Sequence, residues 1–240
     1  MIHRAGTNIV NWYLLEEGGS VTIVDAGCPG FRPQLEEALA QIGRGIGDVE
    51  AIVLTHAHID HVGFAQRLQD ERGTPVYAHR AEVPQATTGR PPETEGSFLP
   101  ALLRHRTARR VVSHIVRHGG ARPPKVARVE PFADGDVLDV PGHPRVIHTP
   151  GHSPGHSVLH VPAEGSLFTG DALCGWSTIT GEQGPILPPA QFNNSTAQAR
   201  ASLGRMEGID AQTLYFGHGD PWTGGAAAAV AEARSRDRGA

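Results

Sequence analysis

The spacing of apolar positions changes period several times along the first 80 residues. "NIVNWYLLEE" and "SVTIVDAG" are β-branched and aromatic runs separated by Gly18 and Gly19, which predicts two strands joined as a hairpin. In "FRPQLEEALAQIG" the apolar residues Leu35, Leu39 and Ile42 recur at helical spacing, and Gly43 stops the helix. "VEAIVLT" is a short continuous apolar run, the pattern of a strand covered on both faces. "GFAQRLQDERG" predicts a second helix ending in glycine, and "PVYAH" a strand after it. Strand and helix alternate here, so helices are expected on the sheet faces.

Between residues 80 and 126 the texture changes. "ATTGRPPETEGS" reads as a loop. Beyond it Phe98, Ala101, Leu102, Ala108, Val112, Ile115 and Val116 trace one helical stripe, so residues 80–126 read as a helical insertion. From Gly96 to Val129 there are seven arginines and one lysine, and no acidic residue. A solvated basic face is the plain reading. The functional reading is a helical cover that borders a site, with Leu102, Val112 and Ile115 turned inward and Arg104, Arg109 and Arg110 outward. Strand texture then returns in "VARVEPF", "VLDV", "RVIHTPG", "SVLHVP", "SLFTGDAL" and "TLYFG". "TAQARASLGRME" predicts a helix with Thr196 near its start, and "AAAAVAEARSR" a final helix that frays. The order suggests two similar βα layers stacked sheet on sheet, within one domain spanning residues 1–240.

Composition narrows the class. The formal charge of −4 on 240 residues gives no general attraction to nucleic acid or to an anionic membrane. No apolar run approaches the length of a membrane span. The start, "MIHRAGTNIVNWYLLEEGG", lacks the features of a signal peptide. Cys28 and Cys174 are the only cysteines and make no disulfide framework, so a reducing cytoplasm is expected. The 14 histidines, against three tyrosines and three tryptophans, ask for a chemical reason.

"LTHAHIDHVG" supplies one. His56, His58, Asp60 and His61 fall within six residues, directly after the buried run "AIVL". Imidazole and carboxylate are ligands for zinc or iron, and no thiolate is needed. Three further segments deliver a ligand type where a strand leaves for a loop: His152 in "TPGHSPGHS", Asp171 in "FTGDAL" and His218 in "YFGHGDPW". Asp25 in "VDAG" stands at another strand end.

The series Asp25, "HAHIDH", His152, Asp171 and His218 resembles the metallo-β-lactamase superfamily, in family order and over nearly the whole chain. The resemblance implies an α+β fold, an αββα sandwich with a dinuclear metal site at one edge. It implies that His56, His58 and His152 hold one ion, that Asp60, His61 and His218 hold the other, and that Asp171 bridges. Asp25 would orient a ligand, and His156 would support the loop. Two Zn2+ ions are implied, with Mn2+, Fe2+ or Co2+ as other occupants. They would hold a hydroxide between them for attack on a carbonyl carbon, with Asp60 passing the proton to the leaving group.

Substrate is less defined. The glutathione-thioester branch, the glyoxalase II type, carries an arginine-containing segment after the bridging aspartate and a larger helical C-terminus. Here that segment is "ALCGWSTITGEQGP", and about 20 residues follow "GHGD". Lactonases of this fold often place a tyrosine where this chain has Cys174, so Trp176 or the insertion residue Leu102 would have to hold the substrate. A lactone or other carboxylic ester is expected first and a thioester second. The rival from another class is an iron-dependent oxidoreductase like the persulfide dioxygenases. The partner expected is a small molecule rather than nucleic acid or membrane, and a homo-oligomer is left open.

Overall fold

The computed structural model describes residues 1–237. Ten of its strands form two sheets. The first sheet runs β1 (Ile2–Gly6), β2 (Asn11–Glu17), β3 (Ser20–Val24), β4 (Val49–Val53), β5 (Val76–His79) and β6 (Glu130–Phe132), in sequence order. Its first three strands are antiparallel and the rest parallel, because helices intervene. The second sheet holds β7 (Arg145–His148), β8 (Ser157–Val161), β9 (Ser166–Gly170) and β12 (Thr213–Phe216), ordered β12-β9-β8-β7. A separate small hairpin pairs β10 (Cys174–Trp176) with β11 (Gln183–Ile186).

Alternation along the strands explains the layers. On β2, Trp12 and Leu14 join a core with Leu35 and Leu39 of α1 (Arg32–Gln41) and Leu68 of α3 (Ala65–Arg72). Tyr13 and Leu15 point the other way and meet Val146, Leu159 and Phe168 of the second sheet. The outer face of that sheet packs Leu167, Leu214 and Phe216 on α7 (Thr196–Glu207) and α8 (Ala226–Asp237). The result is the expected α/β/β/α sandwich, and the continuous apolar runs are strands buried on both faces. Ser195 caps α7, accepting the Gln198 N–H at 3.3 Å. The final helix expected over "AAAAVAEARSR" is α8, which stays helical through Asp237 instead of fraying.

The two ends of the sequence are stitched together. Asn11 N–H donates to Gly217 O at 2.8 Å, and the Asn11 amide donates to Phe216 O at 3.0 Å and Gly219 O at 2.7 Å. Tyr13 Oη–H adds a bond to Phe216 O at 2.6 Å.

The structure corrects several expectations. Residues 2–6 form an edge strand although no alternation marks them, because all five pair with β2, from Asn11 to Leu15. "VLDV" makes only an isolated bridge at Val137, because the chain bends back at residues 139–142, where His143 N–H bonds Val140 O at 2.9 Å. The insertion is not one helix. After α4 (Val83–Thr88) come α5 (Leu99–Arg104) and α6 (Arg106–Arg117), broken at His105, whose ψ of 123° is extended. The stripe holds at Ala101 and Ala108, which are buried together, but farther along α6 Val111 is buried in place of Val112, and Val116 is 50% exposed. Arg104, Arg109 and Arg110 are exposed as expected. Among the described residues no helix is long and apolar enough to cross a membrane.

Candidate metal centre

Five strand ends converge at one edge of the sandwich. β3 leads to Asp25, β4 to His56 and His58, β7 to His152, β9 to Asp171 and β12 to His218. His58 precedes the short helix α2 (Ile59–Val62), which carries Asp60 and His61 back over the end of β3, where Ala26 N–H bonds His61 O at 2.6 Å. The chain therefore turns four ligand types of one segment around a single point. Gly217 allows the last approach: a Cβ there would stand 2.4 Å from Asp171 Oδ1 and 2.6 Å from the His61 ring.

The ligand atoms of His56, His58 and His152 lie within 4.8 Å of one another, and so do those of Asp60, His61 and His218. His56, His61 and Asp171 form a third such group that joins the two. Asp171 Oδ1 is 3.5 Å from His61 Nε2, and its Oδ2 is 3.6 Å from His152 Nε2 and 3.1 Å from His218 Nε2. The sequence-predicted residues are brought together in the grouping that the resemblance implies.

Four of the five imidazoles, all but His58, are aimed by a partner on the far side. His61 Nδ1–H donates to Asp25 Oδ2 at 2.8 Å. His56 Nδ1 meets Thr55 Oγ1 at 3.1 Å, whose hydroxyl is bonded in turn to Asp25. His218 Nδ1 faces Ile9 O, and His152 Nδ1 faces Asn193 Oδ1 at 3.4 Å. These bonds leave the Nε2 lone pairs directed inward, the arrangement of metal-binding histidines. His152 Nε2 and His58 Nδ1 face each other at 2.9 Å, a contact that needs a shared proton or cation.

Four buried polar atoms here have no hydrogen-bond partner: His56 Nε2, His58 Nε2, His61 Nε2 and Asp171 Oδ1. Unpaired buried polar atoms are costly, and those of His56, His61 and Asp171, which fall in one group of close ligand atoms, fit a cation. Electrostatics divides the cluster. Burial, then the neighbouring imidazoles, holds His56 and His152 well below the ordinary histidine value. Burial opposes charge on His61 and His218 too, but Asp25 and Asp171 lift His61 to about 10, and Asp171 and Asp60 lift His218 to about 9. Burial likewise opposes the Asp171 carboxylate, yet His218 and His61 hold it well below its usual range.

His156 is fully buried, and its Nε2 accepts the Asp171 N–H at 3.0 Å while Nδ1 meets Thr149 Oγ1 at 2.9 Å. Burial pushes it down to about 3, so it acts as a neutral acceptor that fixes the backbone of Asp171. Sequence reasoning missed Thr55, Asn193, Glu82 and Gln85. Their polar types stand in unremarkable segments, and their roles arise only from contacts across the fold.

A cavity of about 310 Å3 opens above the cluster. His58, Asp60, His152, Asp171 and His218 form its floor, and Cys174 and Trp176 line it. The insertion contributes Val111 and Ile115, with Pro91, Pro92, Pro123 and Pro124 alongside. Leu102, expected in the wall, packs instead with Ala101, Ala108 and Ile179, because the break at His105 turns α5 away. Burial, then Asp171 and Asp60, pushes the Cys174 thiol well up, so it is not a thiolate.

The profile of the metallo-β-lactamase superfamily matches residues 5–218. A probable metallo-hydrolase of Bacillus subtilis (strain 168), YflN, is 31% identical, with 93% of this chain and 85% of that protein covered. Among solved structures, a metallo-β-lactamase family protein of Thermus thermophilus, TTHA1429, superposes with a TM-score of 0.72 at 26% identity, covering 99% of this chain and 79% of that one. The protein TTHA1623, solved in a di-iron-bound form, is 30% identical with a TM-score of 0.59, covering 93% of this chain and 94% of that one. With its fold, the order of its motifs and its cluster of histidines and aspartates in agreement, this chain belongs to the metallo-β-lactamase superfamily, among the metallo-hydrolases.

Proposed function

We propose that the chain is a dinuclear metal-dependent hydrolase that opens a lactone or other carboxylic ester at its carbonyl carbon. The observation that carries this reading is the set of unpartnered ligand atoms buried on the floor of a largely apolar cavity. The donors fit two divalent ions. His56, His58 and His152 would hold one, Asp60, His61 and His218 the other, and Asp171 both. Zinc is the first assignment, and manganese, iron or cobalt suits the same nitrogen and oxygen set. The di-iron form of TTHA1623 supports a pair of ions here. Such ions supply a nucleophile from water at neutral pH and polarise a carbonyl oxygen.

The chain's own groups do the remaining work. Asp60 Oδ2 is directed at His218 Nε2, 3.6 Å away, which leaves Oδ1 to carry a proton to the leaving alkoxide. Trp176 lines the cavity with its indole ring, a flat apolar wall for the acyl group. Val111, Ile115 and the flanking prolines keep water from an apolar acyl group. The protonated Cys174 serves as wall and not as nucleophile. A thioester is the second reading, favoured by Arg90 at the cavity, which suits an anionic carrier group.

Metal analysis combined with a hydrolysis panel of lactones, aryl esters, thioesters, phosphodiesters and β-lactams tests this. The expected result is two ions per chain and turnover of lactones or esters that chelation abolishes and zinc, manganese or cobalt restores. Turnover surviving complete chelation would place the chemistry elsewhere. Phosphodiester cleavage alone would sink the substrate assignment. One iron per chain without hydrolysis would favour the oxidoreductase.

A further inference from the structure

Glu82, at the entry to α4, is 1% exposed. Its carboxylate accepts three hydrogen bonds, all from neutral donors. Oε2 takes the Ala57 N–H at 2.8 Å, and Oε1 takes the Ser153 hydroxyl at 2.7 Å and the Gly155 N–H at 2.6 Å. Ala57 is the residue between His56 and His58, and Ser153 follows His152. One carboxylate thus ties together the two loops that bear the first trio of histidines. One helical turn on, Gln85 Nε2–H donates to Ala57 O at 3.1 Å. Both backbone polar groups of Ala57 are therefore held by side chains of one turn. The fit is close: a Cβ at Gly155 would stand 2.8 Å from Glu82 Cγ.

A neutral latch would satisfy the same need for loop closure at lower desolvation cost, since a buried carboxylate is expensive without a cation near it. Glu82 faces no basic side chain through its three bonds. The charge has a purpose if a cation sits behind the histidines that it braces. We propose that Glu82 is a positioning residue for the ion held by His56, His58 and His152. It acts through Ala57 and residues 153–155 without touching that ion, and Gln85 assists from the other side of Ala57. The inference rests on the two-ion reading above.

Cobalt titration of metal-free protein tests it, with His56→Ala and His61→Ala marking which absorption bands belong to which site. Glu82→Gln keeps the size but removes the charge, and turns an amide NH2 toward one of the donors. The expected result is a loss of roughly 10–100-fold in cobalt affinity at the His56 site, with the His61 site little changed. Gln85→Ala should show a smaller loss at the same site. The melting point of each metal-free variant is recorded separately, because a merely structural latch would lower it and weaken both sites alike. Unchanged affinity, or equal weakening of both sites, overturns the proposal. Should Glu82→Gln fail to fold, Gln85→Ala decides by the same two criteria. Wild-type protein that takes up fewer than two cobalt ions overturns the two-ion reading itself, and this inference with it; wild type that binds two while both variants match it overturns only the role of Glu82.

Discussion

Asp25 sits in the left-handed region at φ 59°, which asparagine and aspartate tolerate better than most residues. From there its carboxylate reaches the Thr55 N–H at 2.8 Å, the Thr55 hydroxyl and His61 Nδ1 at once. Replacing it with alanine should reduce metal affinity by about 10–100-fold while leaving every proposed ligand in place. Competition with a chromophoric chelator measures this, and an unchanged affinity would reduce Asp25 to a turn-former. His79 carries a different prediction. Burial, then His148 stacked on it at 4.2 Å and Arg80, pushes His79 from 6.5 to about 4. The unfolded chain then binds a proton below 6.5 that the folded protein refuses until about pH 4, so stability falls as pH drops through that window and is level above it. In His79→Phe the decline should be shallower, as followed by urea unfolding at several pH values. Asp25 and the seven ligand-type residues were legible in the sequence because each follows a strand whose pattern is clear. Glu82, Gln85 and Asn193 were not, because their partners lie 25 to 73, 28 and 41 residues away and no local pattern encodes them.

At the level of elements, the strands that carry the site were readable from their apolar runs and terminal glycines. The edge strand β1 and the hairpin of β10 and β11 were not, since pairing rather than pattern creates them. The insertion shows where helical spacing misleads. Its stripe runs through His105, where the backbone is extended; Ala101 and Ala108 stay together across the break, but farther out Leu102 and Val116 leave the expected face. Val111 and Ile115 of α6 line the cavity, and Leu102 of α5 does not. Ile115→Ala should therefore raise KM for esters with long acyl groups by roughly 4–15-fold, the effect of one or two buried methylenes, with little change in kcat. Leu102→Ala should leave KM unaltered. Steady-state kinetics over a series of acyl lengths separates the two, and equal effects would remove α6 from the binding wall.

Across the whole molecule, the proposed ligands come from both halves of the sandwich. His56, His58, Asp60 and His61 follow the first sheet's β4, and His152, Asp171 and His218 follow strands of the second. Ions bound there would bridge the halves and stabilise the folded state by mass action, about 4 kcal/mol at a thousandfold excess over Kd. For a chain of this size that corresponds to a fall of roughly 10 °C in Tm on chelation, measured by scanning calorimetry at fixed metal concentration. A Tm indifferent to chelation would argue against any such bridge. The seam between Asn11, Tyr13 and residues 216–219 also governs time. Its bonds join residues up to 208 apart, whereas the hairpin of β2 and β3 closes over two glycines. Contacts of such separation form late, because the entropy of closing the loop must be overcome first. On dilution from denaturant, hairpin and helix signals should recover before His218 reaches its place beside Ile9, and metal uptake should report the last step of folding rather than the first.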